Sequence, residues 1–141
     1  SSANLALAEG NEPMWEACVA VSGGASRKWY QQTQMPLFAW SSQASGFFAS
    51  DLSPATATDD WWQQETLRVW YNEQNAKRRQ RARELAQKKG CSPIQIALAY
   101  VLHRPENVFA LIGPRRLSEA RESVEALTMD LTDAELTHLE A

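Results

Sequence analysis

Long apolar runs, a cysteine framework and a strong charge of either sign are all missing from this sequence of 141 residues. No apolar run approaches the ~20 residues of a membrane span, so no membrane partner is expected. The two cysteines, Cys18 and Cys91, are too few for a disulfide framework and are expected to be small apolar fillers. A net charge of −3 argues against a nucleic-acid partner. Residues 1–7 carry no positive charge and are too short for a signal peptide, so a cytoplasmic location is expected.

What the sequence does contain is enough apolar material for one folded unit. The length is that of one ordinary domain, and 44% of the residues are hydrophobic, so a core can be buried. Six tryptophans are a high count for this length, and most of them are expected in the core.

Three short apolar segments predict strands, at residues 4–7, 36–40 and 107–112. The second and third are continuously apolar, which is typical of parallel strands covered on both faces. Helical patterns lie between them, so the order predicts βαβ units and an α/β fold with a parallel sheet, in the spatial order of the sequence. Because three parallel strands leave two free edges, the chain either pairs with something or belongs to a larger barrel.

The helices are indicated by periodicity and by their end signals. Patterns at about 26–34 and 65–89 predict helices, the second ending at Gly90. Residues 46–60 show no clear periodicity and predict a surface loop.

Three further helices are predicted in the last third of the chain. Ser92 and Gln95 form a capping box that opens a buried helix over 94–102. Ser118 is expected to cap a helix that runs to about Leu127. A second capping box at Thr132 opens the terminal helix.

Two loops follow predicted strands, at the end of the sheet where α/β folds bind ligands. Residues 40–46 are rich in small and hydroxyl side chains, which let backbone N–H groups approach a phosphate. Residues 113–119 place a glycine turn and two arginines before a helix N-terminus, a combination suited to an anion. Each loop alone is more often an ordinary solvated loop, but two such loops after successive strands make a nucleotide-phosphate site as much expected as a solvated surface.

Four stretches of this sequence resemble the aldo/keto reductase family. Residues 37–46, LFAWSSQASG, are similar to the family's seventh strand and its following loop, usually A-Y-S-P-L-x-x-G. Residues 92–102 resemble its penultimate barrel helix, and residues 110–123 resemble its eighth strand and coenzyme-binding helix. Residues 131–136 resemble the family's L-T-x-E-L ending. The resemblance implies that residues 1–141 form a single segment, the C-terminal portion of a TIM (β/α)8 barrel.

The resemblance also implies a set of NADPH-binding residues. Trp40 would stack on the nicotinamide, and the loop after it would hold the pyrophosphate, although Ser42 and Gln43 stand where the family has Pro-Leu. Arg115 and Arg116 would grip the 2′-phosphate, which favours NADPH over NADH. Ser2 aligns with a glutamine that contacts the carboxamide. The full set is Trp40, Ser41, Gln43, Ser45, Gly46, Gly113, Arg115, Arg116, Glu119 and Ser123.

By the same resemblance, the catalytic Asp, Tyr, Lys and His of the family belong to earlier strands of a barrel that needs ~250 residues. His103 and His138 match no catalytic position, and neither a catalytic residue nor a metal ligand is assigned in this chain. The implied function is NADPH-dependent reduction of an aldehyde or ketone to an alcohol. The alternative is a catalytically inactive fragment that binds nucleotide or only assembles with a partner, and its exposed sheet edges favour a homo-oligomer.

Two other features are read from the residues alone. The basic run at 77–83 is expected to be a solvated helix face. Trp61 and Trp62 either line a substrate pocket or pin the loop that precedes them.

Overall fold

A three-stranded parallel sheet forms the centre of the chain in a computed structural model that describes residues 1–21 and 23–141. The strands are β1 (Ser2–Asn4), β2 (Leu37–Trp40) and β3 (Val108–Ala110), in the order β1-β2-β3. Ala3 of β1 pairs with Ala39 of β2, and Ala39 pairs with Ala110 of β3. The predicted parallel α/β sheet and its spatial order are confirmed.

The first strand lies earlier than predicted, at Ser2–Asn4 instead of 4–7. The backbone N–H of Asn4 donates to the Val19 carbonyl at 2.7 Å, and the Asn4 carbonyl accepts from Val21 at 2.8 Å. The chain leaves β2 after Asn4, so Leu5 and Leu7 are buried in the core instead of extending the strand. The same two hydrogen bonds cover part of the β1 edge that was expected to be free.

The sheet is covered on one face, whereas the apolar runs predicted cover on both. Leu37 and Ala39 are fully buried beneath the helices. Phe38 and Phe109 point to the other face, where their rings stack at 5.4 Å and remain 46% and 49% exposed. Within the described residues, the continuous apolar runs therefore belong to strands with one buried face and one uncovered face.

Six α-helices surround the covered face and the ends of the strands in the described part of the chain. They are α1 (Gly24–Thr33), α2 (Trp61–Trp70), α3 (Glu73–Lys89), α4 (Pro93–Leu102), α5 (Leu117–Glu125) and α6 (Asp133–Glu140), with short 3-10 turns at Ala44–Ala49 and Ala126–Thr128.

The single helix predicted over 65–89 is two helices, because the chain breaks at Tyr71 and Asn72. Tyr71 is extended and ends α2, and the Asn72 side chain accepts the N–H of Asn75 at 2.7 Å as the N-cap of α3. Helix α2 also begins earlier than expected, at Trp61, with Asp60 as its N-cap. The loop predicted over 46–60 therefore ends where expected, and its first residues belong to a 3-10 turn.

Most of the predicted end signals are confirmed. Both capping boxes are present, at Ser92 and at Thr132, and Gly90 ends α3 at a left-handed φ of 68°. Ser118 is not a cap, because α5 begins at Leu117 with Arg116 as an N-cap that makes no side-chain bond.

The core is built around α4, which packs against α3, β3 and α5 and is buried from Gln95 to Val101, as predicted. The tryptophans were expected mostly in this core. Trp70 is fully buried there, but Trp29, Trp61 and Trp62 are exposed. The expectation for the tryptophans is wrong, because the first turn of α2 presents Trp61 and Trp62 to the outside of the core and α1 does the same with Trp29.

The basic run at 77–83 is not a uniformly solvated face. Lys77 is solvated and pairs with Glu73 at 2.8 Å, as expected. Arg78 and Arg79 are only 8% exposed. Arg78 donates to the Leu7 carbonyl at 3.0 Å, so this part of the prediction is wrong: the guanidinium bridges elements that are distant in sequence.

Candidate functional site

One cavity of about 590 Å³ opens at the carboxyl ends of β2 and β3. The predicted phosphate loops, which follow these two strands, form its walls, and α5 and the start of α2 complete it. The predicted residues that line it are Ser41, Gln43, Ser45, Gly46, Gly113, Arg115, Glu119 and Ser123. The lining residues that were not predicted are Ser42, Ala49, Ile94, Leu111, Ile112, Pro114 and Glu122, and Trp62 lines it as well.

The loop after β2 is folded by a series of left-handed residues. Ser41 and Ala44 have φ of 48°, Ser45 has 54° and Gly46 has 82°. Non-glycine residues adopt this region at a cost, and such residues cluster where a loop must hold a specific shape against a ligand. At Gly46 the requirement is conformational, since a Cβ would meet no atom within 4 Å.

The two loops and α5 are tied together by side-chain hydrogen bonds. The buried Ser42 hydroxyl donates to the Leu111 carbonyl at 2.7 Å. Across the cavity, the Gln43 amide donates to the Ser123 hydroxyl at 3.3 Å. Ser42 was not predicted as a site residue. The signal that could have found it is its position, where the family pattern has Pro.

A hydroxyl at the cavity wall is oriented from the core. The indole Nε1 of Trp70 donates to Ser45 Oγ at 3.2 Å, and Trp70 is fully buried. Since one lone pair of Oγ accepts this bond, the hydroxyl proton of Ser45 can be donated elsewhere. Ser45 therefore adds a donor to the cavity wall.

One cation and two carboxylates line the cavity in the described part of the chain: Arg115, Glu119 and Glu122. The guanidinium of Arg115 lies over the Trp62 ring, 4.9 Å from its centroid. Glu119 Oε2 accepts the backbone N–H of Arg115 at 2.7 Å, before the first turn of α5. Among the described residues, the positive charge at this site thus comes from the Arg115 guanidinium alone. The Glu119 carboxylate already accepts the backbone N–H of Arg115, which is therefore not free for a ligand.

Three of the residues singled out from the sequence lie elsewhere. Trp40 is outside the cavity lining, with its ring 5.3 Å from that of Trp15. Arg116 is exposed as the N-cap of α5. Ser2 lies on β1, opposite Phe38 of β2. Trp62 lines the cavity, whereas Trp61 is 70% exposed outside it.

His103 and Cys91 have structural roles. His103 bonds the Ala99 carbonyl through Nδ1 at 2.8 Å and accepts the Leu131 N–H at Nε2, which joins α4 to the segment before α6. Burial raises the pKa of the Cys91 thiol, which keeps it protonated and fits a filler role.

Within residues 1–21 and 23–141, no cluster of three or more His, Cys, Asp or Glu forms that could hold a metal. Nor is any helix in those ranges long and apolar enough to cross a membrane.

Comparison with known proteins agrees with this arrangement. The profile of the Aldo/keto reductase family matches residues 25–141. The chain belongs to the aldo/keto reductase family, since the match covers most of its length.

Two curated relatives and one solved structure are similar over different lengths. Norsolorinic acid reductase of Aspergillus flavus and norsolorinic acid reductase A of Aspergillus parasiticus are each 35% identical over 57 residues, which are 40% of this chain and 15% of theirs. A thermostable aldo-keto reductase crystallised with the inhibitor epalrestat matches with a TM-score of 0.62 and 18% identity, over 99% of this chain and 38% of its own. The chain thus has the fold of part of that protein and spans well under half the length of these relatives.

Proposed function

We propose that this chain supplies the coenzyme-binding part of an NADPH-dependent aldo/keto reductase that reduces an aldehyde or ketone to an alcohol. The observation that carries the proposal is the cavity at the ends of β2 and β3. Its two loops are about 70 residues apart in sequence, as the hydrogen bond from Ser42 to Leu111 shows, yet they meet around one space. The carboxyl ends of parallel strands are the usual position for a ligand in this fold class, and the cavity has a volume typical of ligand sites.

The residues of the cavity fit a nucleotide with phosphate groups. The tight turn at 41–46 and the Ser45 hydroxyl would hold the pyrophosphate, and Arg115 would hold the 2′-phosphate. The carboxylates of Glu119 and Glu122 oppose an anion here, so affinity for the phosphate depends strongly on Arg115. Arg116 and Trp40 do not line the cavity. Arg116 would have to reach the 2′-phosphate, and Trp40 the nicotinamide ring, from outside it.

NADPH, when bound, supplies a hydride for the carbonyl carbon, and the chain's own task is to orient the coenzyme. Among the described residues that line the cavity there is no Tyr, Lys or His. Proton donation to the carbonyl oxygen is therefore assigned to groups outside this cavity. The relatives' name, a reductase, is in keeping with such a reaction. The carbonyl substrate and a cytoplasmic location stay predictions.

The test uses the complete protein with NADPH and a panel of aromatic aldehydes and ketones, following the loss of NADPH absorbance. Turnover with NADPH, faster than with NADH at equal low concentration, is the expected result. Tryptophan fluorescence titrated with NADPH in parallel separates binding from chemistry. Failure of NADPH to bind at all would overturn the proposal.

The second candidate is a catalytically inactive module that only binds nucleotide or assembles with a partner. The observation that favours it is the uncovered sheet face, where Phe38 and Phe109 are about half exposed. Binding of NADPH without turnover of any carbonyl would support this module. Self-association of residues 1–141 in sedimentation, reduced by the double variant Phe38→Ser/Phe109→Ser, would support assembly through that face.

A further inference from the structure

The contact between Trp62 and Arg115 joins two elements that are far apart in sequence, at the wall of the cavity. The Arg115 guanidinium lies over the Trp62 ring at 4.9 Å, and both side chains line the cavity. A guanidinium over an aromatic ring is held by cation–π attraction, while the N–H groups at its edge stay available to an anion.

The guanidinium of Arg115 forms no ion pair in the described part of the chain, although Glu119 and Glu122 line the same cavity. None of the ion pairs found there includes Arg115. The nearby Glu119 carboxylate is bound to the backbone N–H of Arg115 at 2.7 Å. The Trp62 ring is therefore the group that fixes where this cation stands.

The first turn of helix α2, which carries Trp62, is held by side-chain hydrogen bonds. The Asp60 side chain caps the helix by accepting the Gln63 N–H at 2.9 Å, and the Gln64 amide donates to the Thr58 carbonyl at 2.7 Å. Trp62 also lines a neighbouring cavity of about 330 Å³, which shares Ser45 and Gly46 with the larger one. The indole thus lines both cavities, and it is carried on a capped first turn.

We propose that Trp62 is a positioning residue for the Arg115 guanidinium and thereby helps to determine the preference for a coenzyme with a 2′-phosphate. This inference rests on the proposed function of the same cavity. A long arginine side chain loses conformational freedom when it grips a phosphate, and that loss lowers affinity. Stacking on Trp62 restricts the side chain beforehand, so less freedom is lost on binding. A coenzyme without the phosphate gains nothing from the stack.

The experiment measures the Kd of NADPH and of NADH by calorimetry with the complete protein. Trp62→Ala should weaken NADPH binding about two- to five-fold and leave NADH unchanged. Trp62→Phe, which keeps an aromatic face, should restore most of the preference. Trp61→Ala is the matched control, because Trp61 is the neighbouring residue on the same helix and lies outside the cavity. It should change neither Kd.

A double-mutant cycle separates positioning from a merely structural role. In the Arg115→Ala background, Trp62→Ala should have no further effect on the ratio of the two Kd values. A persistent effect there, or an equal loss of NADPH and NADH affinity, would overturn the role of Trp62 while leaving the cofactor site intact. A parent protein that shows no preference for NADPH, or an Arg115→Ala variant that keeps it, would instead overturn the proposed function and this inference with it.

Discussion

Trp70 donates its indole N–H to the hydroxyl of Ser45 at 3.2 Å, from a position with no solvent exposure. Ser45 lies on the left-handed turn after β2, and Trp70 is the last residue of α2. The bond therefore fixes a hydroxyl in the cavity wall from within the core. Because the Trp70 nitrogen can only donate, it leaves the Ser45 proton for an acceptor in the cavity.

Replacing Trp70 by Phe should weaken binding of NADPH and NADH alike. The variant loses the bond that orients the Ser45 hydroxyl, so up to the worth of one hydrogen bond to the coenzyme should be lost, about 0.5–1.5 kcal/mol or roughly two- to ten-fold in Kd. Both coenzymes contain the pyrophosphate that Ser45 would contact, so their ratio should stay constant. Calorimetry on the complete protein measures both constants. A further loss when Trp70→Phe is added to Ser45→Ala would show that Trp70 acts by another route.

Arg79 should matter far more for stability than its neighbour Lys77. Arg79 donates to the carbonyls of Ser50 at 3.1 Å and Leu52 at 2.9 Å, and its guanidinium lies over the Phe47 ring at 4.4 Å. Arg79→Ala leaves these carbonyls without that donor and should lower the free energy of unfolding by about 2–3 kcal/mol.

Lys77→Ala is the control in the same basic run. Its ion pair with Glu73 is exposed and spans one helical turn, so its loss should lower stability far less than the loss of Arg79. Denaturant unfolding of the complete protein measures both variants. Equal effects would mean that the run is solvated throughout, as the sequence alone suggested.

Stability should fall at both ends of the pH range because of the pair Glu140 and Tyr100. Burial on its own raises the pKa of Glu140, but hydrogen bonds from Tyr100 and Arg27 outweigh it and hold that pKa below its ordinary value. Burial, followed by the hydrogen bond to Glu140, raises the pKa of Tyr100 from 10.0 to about 12. The Tyr100 hydroxyl donates to Glu140 Oε1 at 2.6 Å.

The sign of each contribution follows from the direction of the shift. The lowered pKa of Glu140 gives stability that is present above its ordinary value of 4.5 and is lost as the pH falls through the lower folded value. The raised pKa of Tyr100 gives stability that is present below pH 10 and is lost as the pH rises toward 12. Thermal unfolding against pH checks both. Glu140→Gln should flatten the acid limb and Tyr100→Phe the alkaline limb, and an unchanged limb would contradict the assignment.

Local signals predicted much of this fold, and long-range contacts account for what they missed. The capping box of Ser92 and Gln95 was readable because both partners lie within one turn. Asn72 is also a favoured N-cap residue, but the apolar pattern on either side of it resembles one long helix. The burial of Arg79 depends on a loop 27 residues away, which no periodicity in the helix reveals.

The candidate site was predictable in part for the same reason. The loop residues Ser45 and Arg115 were found because they follow strands and match a family pattern. Trp62 stayed ambiguous, since its place in the cavity wall depends on where α2 begins and how it packs against the turn before α5. Trp40 ends β2 as expected, but its ring packs beside Trp15, a contact that sequence spacing does not specify.

The sharpest test of the coenzyme site is calorimetry of NADPH and NADH on the complete protein and its Arg115→Ala/Arg116→Ala variant. The guanidinium of Arg115 lines the cavity next to the N-terminus of α5, whereas Arg116 lies outside the lining. One charge-assisted contact is worth about 1.5–3 kcal/mol, roughly ten- to hundred-fold in affinity. We expect a loss of this size for NADPH in the double variant and in Arg115→Ala but not in Arg116→Ala, with NADH binding almost unchanged. A double variant that binds NADPH as tightly as the parent would contradict the cofactor site.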